Sequence, residues 1–176
     1  MRNCIALFFL LLSISAKSQS LVAPSGDTKK ESFRDRLILT GNAGASFGSY
    51  TYVQLSPMIG YKTTKRWING VGVNFMYWQQ RQQRAQSIYG GILWSRLSIS
   101  QMIFLQSNFE ILNREWYDPF RRYYRVNVPI WLVGGGVNLN GNGRSGVTAM
   151  VLWDVIGDSK SPYTNPLIRF GIQFGL

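Results

Sequence analysis

"LIRFGIQFGL", residues 167–176, reads differently on its two faces. Ile168, Phe170, Ile172, Phe174 and Leu176 are apolar, while Arg169, Gly171, Gln173 and Gly175 stand between them. A period of two is the period of a β-strand, whose successive side chains point to opposite faces. One face of this strand suits an apolar medium and the other carries a full charge. Which face points inward is decided by where the remaining charges of the chain fall.

The same period runs upstream from Leu37. Leu37, Leu39, Gly41, Ala43, Ala45 and Phe47 alternate with Ile38, Thr40, Asn42, Gly44 and Ser46. Thr51, Val53, Leu55, Pro57, Ile59 and Tyr61 alternate with Gln54, Ser56, Met58 and Gly60, and Val71, Val73, Phe75 and Tyr77 with Gly72, Asn74 and Met76. Further strands are expected over 88–97, 103–112, 126–137, 146–155 and 167–175, eight in all. Their lengths cluster near the ~9–11 residues with which a tilted strand crosses a bilayer. The connections 62–66, 98–102 and 138–145 are short or rich in Gly and Asn. Those at 79–87, 113–125 and 156–166 are longer and more polar, and only the one around Phe47 to Tyr50 is tight. Short turns at one end and long loops at the other are the habit of outer-membrane barrels.

Within these strands the only charges are Arg96, Glu110, Asp154 and Arg169, each on the polar parity. The opposite faces read Leu93/Leu97, Ile103/Leu105/Phe109/Ile111, Val147/Val151/Trp153/Val155 and Ile168/Phe170/Ile172/Phe174. An Arg on a lipid-facing position costs ~2–4 kcal/mol at mid-membrane, so the parity points the four charges into a barrel. Glycines, Asn42, Gln54, Asn74, Met76, Trp94, Gln106 and Asn108 are expected to fill it with them. Buried charges are normally paired. With the last connection centred near residue 161, Asp154 is expected beside Arg169. In the segment 126–137 only Asn127 and Pro129 distinguish the two parities. Val126, Val128, Ile130 and Leu132 outward, with Asn127, Pro129 and Trp131 inward, is the arrangement expected for it.

Composition agrees. Charged residues are 15% of the 176, below the roughly 25% of soluble domains, while aromatics reach 14% and Gly numbers 18. The first stretch, "MRNCIALFFLLLSISAKSQS", reads as a secretory signal: Arg2, then an apolar run from Ile5 to Ile14, then Ala16 and Ser18 before a cleavage site. Residues 1–18 are therefore expected to be a cleaved signal peptide, 19–36 a flexible periplasmic leader and 37–176 the barrel. The apolar run is short of the ~20 residues of a membrane-spanning helix. Cys4, the only cysteine, leaves with the signal. The net charge of +11 falls by two with Arg2 and Lys17. That balance favours anionic partners, and export makes them lipid headgroups and not nucleic acid.

With its strands placed, the sequence resembles the small eight-stranded outer-membrane β-barrel proteins of Gram-negative bacteria. The likeness covers about Leu37 to Leu176 and is carried by "SPMIGYKTTKRWINGVGVNF" (56–75), "VPIWLVGGGVN" (128–138), "SGVTAMVLWDV" (145–155) and "IRFGIQFGL" (168–176). It implies an all-β, antiparallel, up-and-down transmembrane barrel in the cell outer membrane. It also implies that the C-terminal strand is read by the outer-membrane assembly machinery. Here the terminal residue is Leu176 where the family's pattern has an aromatic, and Phe174 stands two positions earlier. The histidine-dependent barrel enzymes of the family have no counterpart in a chain with no histidine.

Without His, and with its one Cys in the signal, the chain offers no triad, no imidazole base and no thiolate or imidazole metal site. Glu110 and Asp154 are the only carboxylates that could serve as acid and base, and pairing with Arg is the simpler reading. No catalytic, cofactor or metal residue is assigned, and the glycine-rich 138–143 is a turn, not a phosphate loop. Two loop clusters are candidates for contact with lipopolysaccharide phosphates or another surface partner. They are Arg81 and Arg84, and Arg114, Arg121, Arg122 and Arg125 interleaved with Trp116, Tyr117, Tyr123 and Tyr124. Arginine forks bind phosphate and aromatics settle at membrane interfaces, but an ordinary solvated loop has the same composition. The expected function is a non-enzymatic barrel with a filled interior. Its role is structural or surface-binding, alone or as accessory subunit of a larger outer-membrane complex. A narrow channel for small solutes and a soluble exported lipocalin-like carrier are the alternatives.

Overall fold

A computed structural model of the chain describes residues 33–46, 50–80, 85–118, 120, 122–139 and 145–175. The expected signal peptide, most of the expected leader, Arg81, Arg84, Arg121 and Leu176 lie outside the described residues. The described residues are all-β: eight strands and a single 3-10 turn, Arg34–Arg36, with no α-helix among them. The strands are β1 (Leu37–Ser46), β2 (Tyr50–Lys62), β3 (Trp67–Gln80), β4 (Gln86–Ser98), β5 (Ile103–Asp118), β6 (Arg122–Asn138), β7 (Gly146–Asp154) and β8 (Leu167–Gly175). Each pairs antiparallel with its sequence neighbours, and β1 pairs with β8, so the sheet closes into a barrel. Closure gives every strand a neighbour on both sides, so the ring has no edge strand.

Alternation is maintained around the ring. Leu55, Val73, Phe75, Leu93, Leu105, Ile168 and Phe170 face outward and are each about half exposed or more. Their sequence neighbours Gln54, Asn74, Gln106 and Arg169 are buried inside. Of the charged side chains described on the strands, only Glu115 and Arg125 share the outward parity. They are opposite each other near the tip of the β5–β6 hairpin and form an ion pair at 3.7 Å. Two outward indoles are satisfied on the same face: Trp67 Nε1 donates to Ser95 Oγ at 2.7 Å and Trp131 Nε1 to Ser107 Oγ at 2.9 Å.

The interior differs from expectation on β6. Val128, Ile130 and Leu132 are buried inside the barrel, while Asn127 and Val133 face outward, and Trp131 bonds Ser107 on the outer face. The cause is register. Glu110 is opposite Ile130 and Leu112 opposite Val128, and directly opposed residues of a strand pair share a face. An inward Glu110 therefore carries Ile130 inward. These side chains join Met76, Ile88, Phe104, Leu112, Met150 and Leu152 in an apolar core on one side of the barrel. Ile38, Met58, Ile68, Ile92 and Trp94 form a second cluster. Room for the Trp94 ring comes from Gly60, where a Cβ would stand 2.5 Å from Trp94 Cζ2.

A second difference concerns 113–125, expected as a loop. Ladder pairing continues from Asn113↔Asn127 to Asp118↔Arg122, so β5 and β6 extend well beyond their neighbours. The β7–β8 hairpin is short by comparison, and its connection, 155–166, folds back over the barrel mouth.

Candidate functional site

Three polar groupings occupy the barrel and its mouth. The central one is built on Asn74 of β3, Glu110 of β5 and Arg169 of β8. Arg169 Nη1 donates to Glu110 Oε1 at 2.8 Å, with both side chains almost fully buried. Glu110 Oε2 accepts from Asn74 Nδ2 at 3.0 Å and from the Tyr163 hydroxyl at 2.7 Å. Asn74 Nδ2 also reaches the Tyr163 oxygen at 2.7 Å, and its own Oδ1 accepts from Gln54 and Ser56. Tyr163 descends from the β7–β8 connection, and the Arg169 guanidinium lies 4.9 Å from its ring centre. A charge removed from water needs an opposite charge or hydrogen bonds to compensate it; here the two charges meet directly, and Asn74 and Tyr163 complete the carboxylate.

Nearer the short turns, Arg96 is 2% exposed. No carboxylate among the described residues pairs with it. Gln106 Oε1 accepts from its Nε and Nη2 at 2.9 and 2.7 Å, and Gln173 Oε1 from its Nη1 at 2.6 Å. The rings of Phe104 and Trp94 lie 4.1 and 5.6 Å from the guanidinium carbon. Two side-chain amides and two aromatic faces thus do for Arg96 what Glu110 does for Arg169. Beneath it a cavity of about 370 Å³ opens between Lys62, Lys65, Arg66 and Asn138.

Asp154 belongs to the third grouping and does not meet Arg169, contrary to the sequence expectation. In the β7–β8 ladder Arg169 is opposite Met150, and the pairing ends at Leu152↔Leu167. Asp154 instead organises the connection. Its Oδ1 accepts from the backbone of Ile156 and Gly157 at 3.1 and 3.2 Å, and its Oδ2 from Ser161 Oγ at 2.9 Å. Asn165 bridges the Asp154 backbone on both sides, accepting from its N–H at 2.7 Å and donating to its C=O at 3.0 Å. The positive φ of Gly157 (61°) lets the chain turn back there. Asp154 thereby holds the connection that delivers Tyr163. Glu110 and Asp154 share no hydrogen-bond partner, so the geometry gives them no common proton to handle. Among the described residues no group of three carboxylates, thiols or imidazoles could hold a metal ion.

The described side chains of the 113–125 cluster are divided between the two faces of the β5–β6 hairpin. Arg114 turns toward the barrel axis, donates to the Lys160 carbonyl at 2.8 Å and packs 5.5 Å from the Trp116 ring centre. Arg125, on the other face, bonds Asn113 and Ser87 and lies 4.6 Å from the Tyr89 ring centre. Tyr117 and Tyr123 pack on that outer face with their rings tilted by 54° and centroids 5.2 Å apart. Tyr124 is directly opposite Trp116. Arg122 ends the ladder opposite Asp118. Arg114 and Arg125 are therefore engaged within the chain, on opposite faces, and not gathered into one anion site.

Sequence reasoning missed Tyr163; it put Gln106 inside the barrel and Gln173 on the polar face of the last strand, but not their contact with Arg96. The available signal for Tyr163 was its place beside Pro162, the one aromatic ring in an otherwise small and polar connection. Above the central network a cavity of about 830 Å³ remains, lined by Asn42, Met76, Ile88, Tyr163, Leu167 and Arg169 among others. Comparison with known proteins gives no match: no family model, curated protein or solved structure is similar to the chain.

Proposed function

We propose that the chain is an integral outer-membrane barrel of the Gram-negative type, exported by a cleaved N-terminal signal, non-enzymatic and closed to free diffusion. The observation that carries this reading is the outer belt. On all eight strands the outward side chains are apolar or small through the middle of the strand, and most of the large ones are a third to two-thirds exposed. Soluble monomers rarely expose a contiguous apolar patch above a few hundred Å², whereas a ring of such residues suits the hydrocarbon of a bilayer. Polar groups on this belt are spent on one another, as in Trp67–Ser95 and Trp131–Ser107.

An interior crossed by Tyr163, the Glu110–Arg169 pair and the Arg96–Gln106–Gln173 layer supports a structural or surface-binding role over a channel. An eight-stranded barrel is just wide enough for side chains to fill it. The apolar core along β5, β6 and β7 is the one feature in common with a soluble carrier. A carrier would need a polar exterior, and the belt argues against it. Outward from the belt, the tall β5–β6 hairpin with Tyr117 and Tyr123 is the natural surface for lipopolysaccharide or a protein partner. Assembly through the C-terminal strand follows from the alternation of Ile168 to Phe174.

The test is fractionation followed by gel electrophoresis of unheated and boiled samples. The expected result is outer-membrane protein whose mobility shifts on heating, as a detergent-resistant barrel does. Water-soluble protein without a shift sinks the proposal.

A further inference from the structure

The described charges are unevenly divided along the barrel axis. Toward the long loops cations and carboxylates are equal in number, five of each. Toward the short turns Arg34, Arg36, Lys62, Lys65, Arg66 and Arg96 stand with a single carboxylate, Asp35. The positive charge of the described residues therefore collects at one end, around the cavity beneath Arg96. Lys62, Lys65, Arg66 and Arg96 all line that cavity, and no carboxylate among the described residues does. Lys62 is opposite Ile68 in the β2–β3 ladder. Ile68 is buried inside, so Lys62 shares the lumen face. Neither it nor Lys65 nor Arg66 forms an ion pair among the described residues.

Hydrogen bonds fix the rim that carries these cations. The Thr64 hydroxyl accepts from the backbone N–H groups of Arg66 and Trp67 at 3.3 and 3.0 Å. Ser98 N–H donates to the Arg66 carbonyl at 2.8 Å, tying the β2–β3 turn to the end of β4. Asn138 donates from its backbone to the Met102 carbonyl at 2.7 Å and from its side chain to the Gln101 carbonyl at 3.2 Å, tying the β4–β5 turn to β6. Like charges held around one cavity repel, and the repulsion persists until an anion answers it. Behind the rim Arg96 is compensated by amide oxygens and aromatic faces, so its positive field adds to theirs. Lys65, Arg66, Ser100 and Gln101 are exposed, which leaves the mouth open. Every strand residue in the wall is on the lumen face, so the cavity opens along the barrel axis and not through the sheet.

We propose that this mouth is a binding site for the phosphoryl group of a small, water-soluble phosphomonoester. Such a group carries close to two negative charges at neutral pH, and three rim cations backed by Arg96 favour it over a monoanion such as a carboxylate. The Arg66 fork takes two phosphate oxygens, and Lys62 and Lys65 act as point charges beside it. The Ser98 hydroxyl, on the lumen face, adds a neutral donor. A cavity of about 370 Å³ is at the small end of the ~300–1,000 Å³ of ligand sites, room for a phosphoryl group on a carrier of a few carbons. The Arg96–Gln106–Gln173 layer is its floor, so the site holds the solute and does not pass it on. The proposal is independent of what covers the outer belt.

The test is calorimetric titration of the full chain, refolded in a non-ionic detergent and phosphate-free buffer, with glycerol 3-phosphate and with acetate. Glycerol 3-phosphate should bind saturably and at least tenfold more tightly than acetate. Lys62→Gln and Arg66→Gln should each weaken it about tenfold, the loss expected for one charge-assisted hydrogen bond. Lys160→Gln, at the opposite end, should leave it unchanged. Absence of saturable binding overturns the proposal, as does equal binding of acetate or indifference to both lower substitutions. An equal loss from Lys160→Gln also overturns it, because the attraction would then belong to the net charge and not to a site. A second arm places the protein in bilayer discs with and without phosphatidic acid. Displacement of glycerol 3-phosphate by that lipid would assign the site to a headgroup and overturn the aqueous source. Urea unfolding without phosphate separates site from scaffold. Both lower variants should unfold at the wild-type midpoint or above it, since a repelling cation has been removed, and earlier unfolding would make these side chains structural and overturn the assignment.

Discussion

Arg169 and Glu110, 59 residues apart in sequence, meet at 2.8 Å across the barrel interior, while the residue opposite Arg169 in its own hairpin is Met150. The pair is a contact across the lumen, not across a ladder. Arg169→Met should therefore destabilise the barrel by about 3–5 kcal/mol, because Glu110 is left as an unpaired buried charge. Glu110→Gln with Arg169→Met should recover most of that loss. Reversing the charges at 154 and 169 together should bring no rescue over the single reversals. Urea unfolding of vesicle-refolded variants reads all of these, and rescue by the 154/169 double reversal would contradict the register.

Tyr163 joins the roof of the barrel to the central pair. Tyr163→Phe removes the hydroxyl shared by Asn74 and Glu110, with an expected cost of about 1–3 kcal/mol. Tyr163→Ala removes the plug but leaves the Arg96–Gln106–Gln173 layer beneath. In planar bilayers the single variant should therefore remain closed, and so should Tyr163→Ala with Arg96→Ala, because the Glu110–Arg169 pair still crosses the interior. A steady conductance from Tyr163→Ala alone would place the barrier in the loop and not in the interior.

Position on the belt can be read energetically. Val73→Arg puts a cation among half-exposed apolar neighbours and should cost ~2–4 kcal/mol in a bilayer. Gln79→Arg, on the same face of β3 but beyond Tyr77, should cost ~0–1 kcal/mol. Equal small effects at both sites, as on a water-facing surface, would remove the main support for a lipid-facing exterior.

Asp154 is a loop organiser. Asp154→Ala leaves the backbone N–H groups of Ile156 and Gly157 and the Ser161 hydroxyl without their acceptor, and should cost about 1–3 kcal/mol. The more specific sign is local: limited proteolysis within 156–166 should accelerate several-fold while cleavage elsewhere is unchanged. Uniform acceleration would mean that Asp154 supports the whole barrel.

Much of the strand plan was legible because eight barrel strands place apolar residues on alternate positions and the chain has few charges to confuse the count. Two features were not. On β6, from Val126 to Val133, only Asn127 and Pro129 separated the two parities, and they pointed the wrong way. The deciding fact was the opposition of Glu110 to Ile130, which depends on where the β5–β6 hairpin turns. That turn was hidden because "NREWYD" and "RRYYR" are polar and aromatic and read as a loop, although they pair as a ladder. The partner of Arg169 was illegible for a different reason. Local register predicts neighbours along the sheet, whereas inward side chains meet across the lumen, where sequence separation carries no information. Tyr163 combines both difficulties, since a loop residue reaches the barrel centre only after the chain has folded back.

The projection of the β5–β6 hairpin beyond the ring makes it a handle. Tension applied at its tip along the barrel axis loads β5 and β6 in shear against β4 and β7. The β4–β5 ladder runs from Tyr89↔Asn113 to Ser98↔Phe104, and the β6–β7 ladder only from Leu132↔Asp154 to Asn138↔Thr148. The shorter ladder is the weaker bond line, so mechanical extraction should tear the barrel between β6 and β7. The split would pass beside Ile130, Leu132, Met150 and Leu152, exposing the inner core before the Glu110–Arg169 contact is drawn apart.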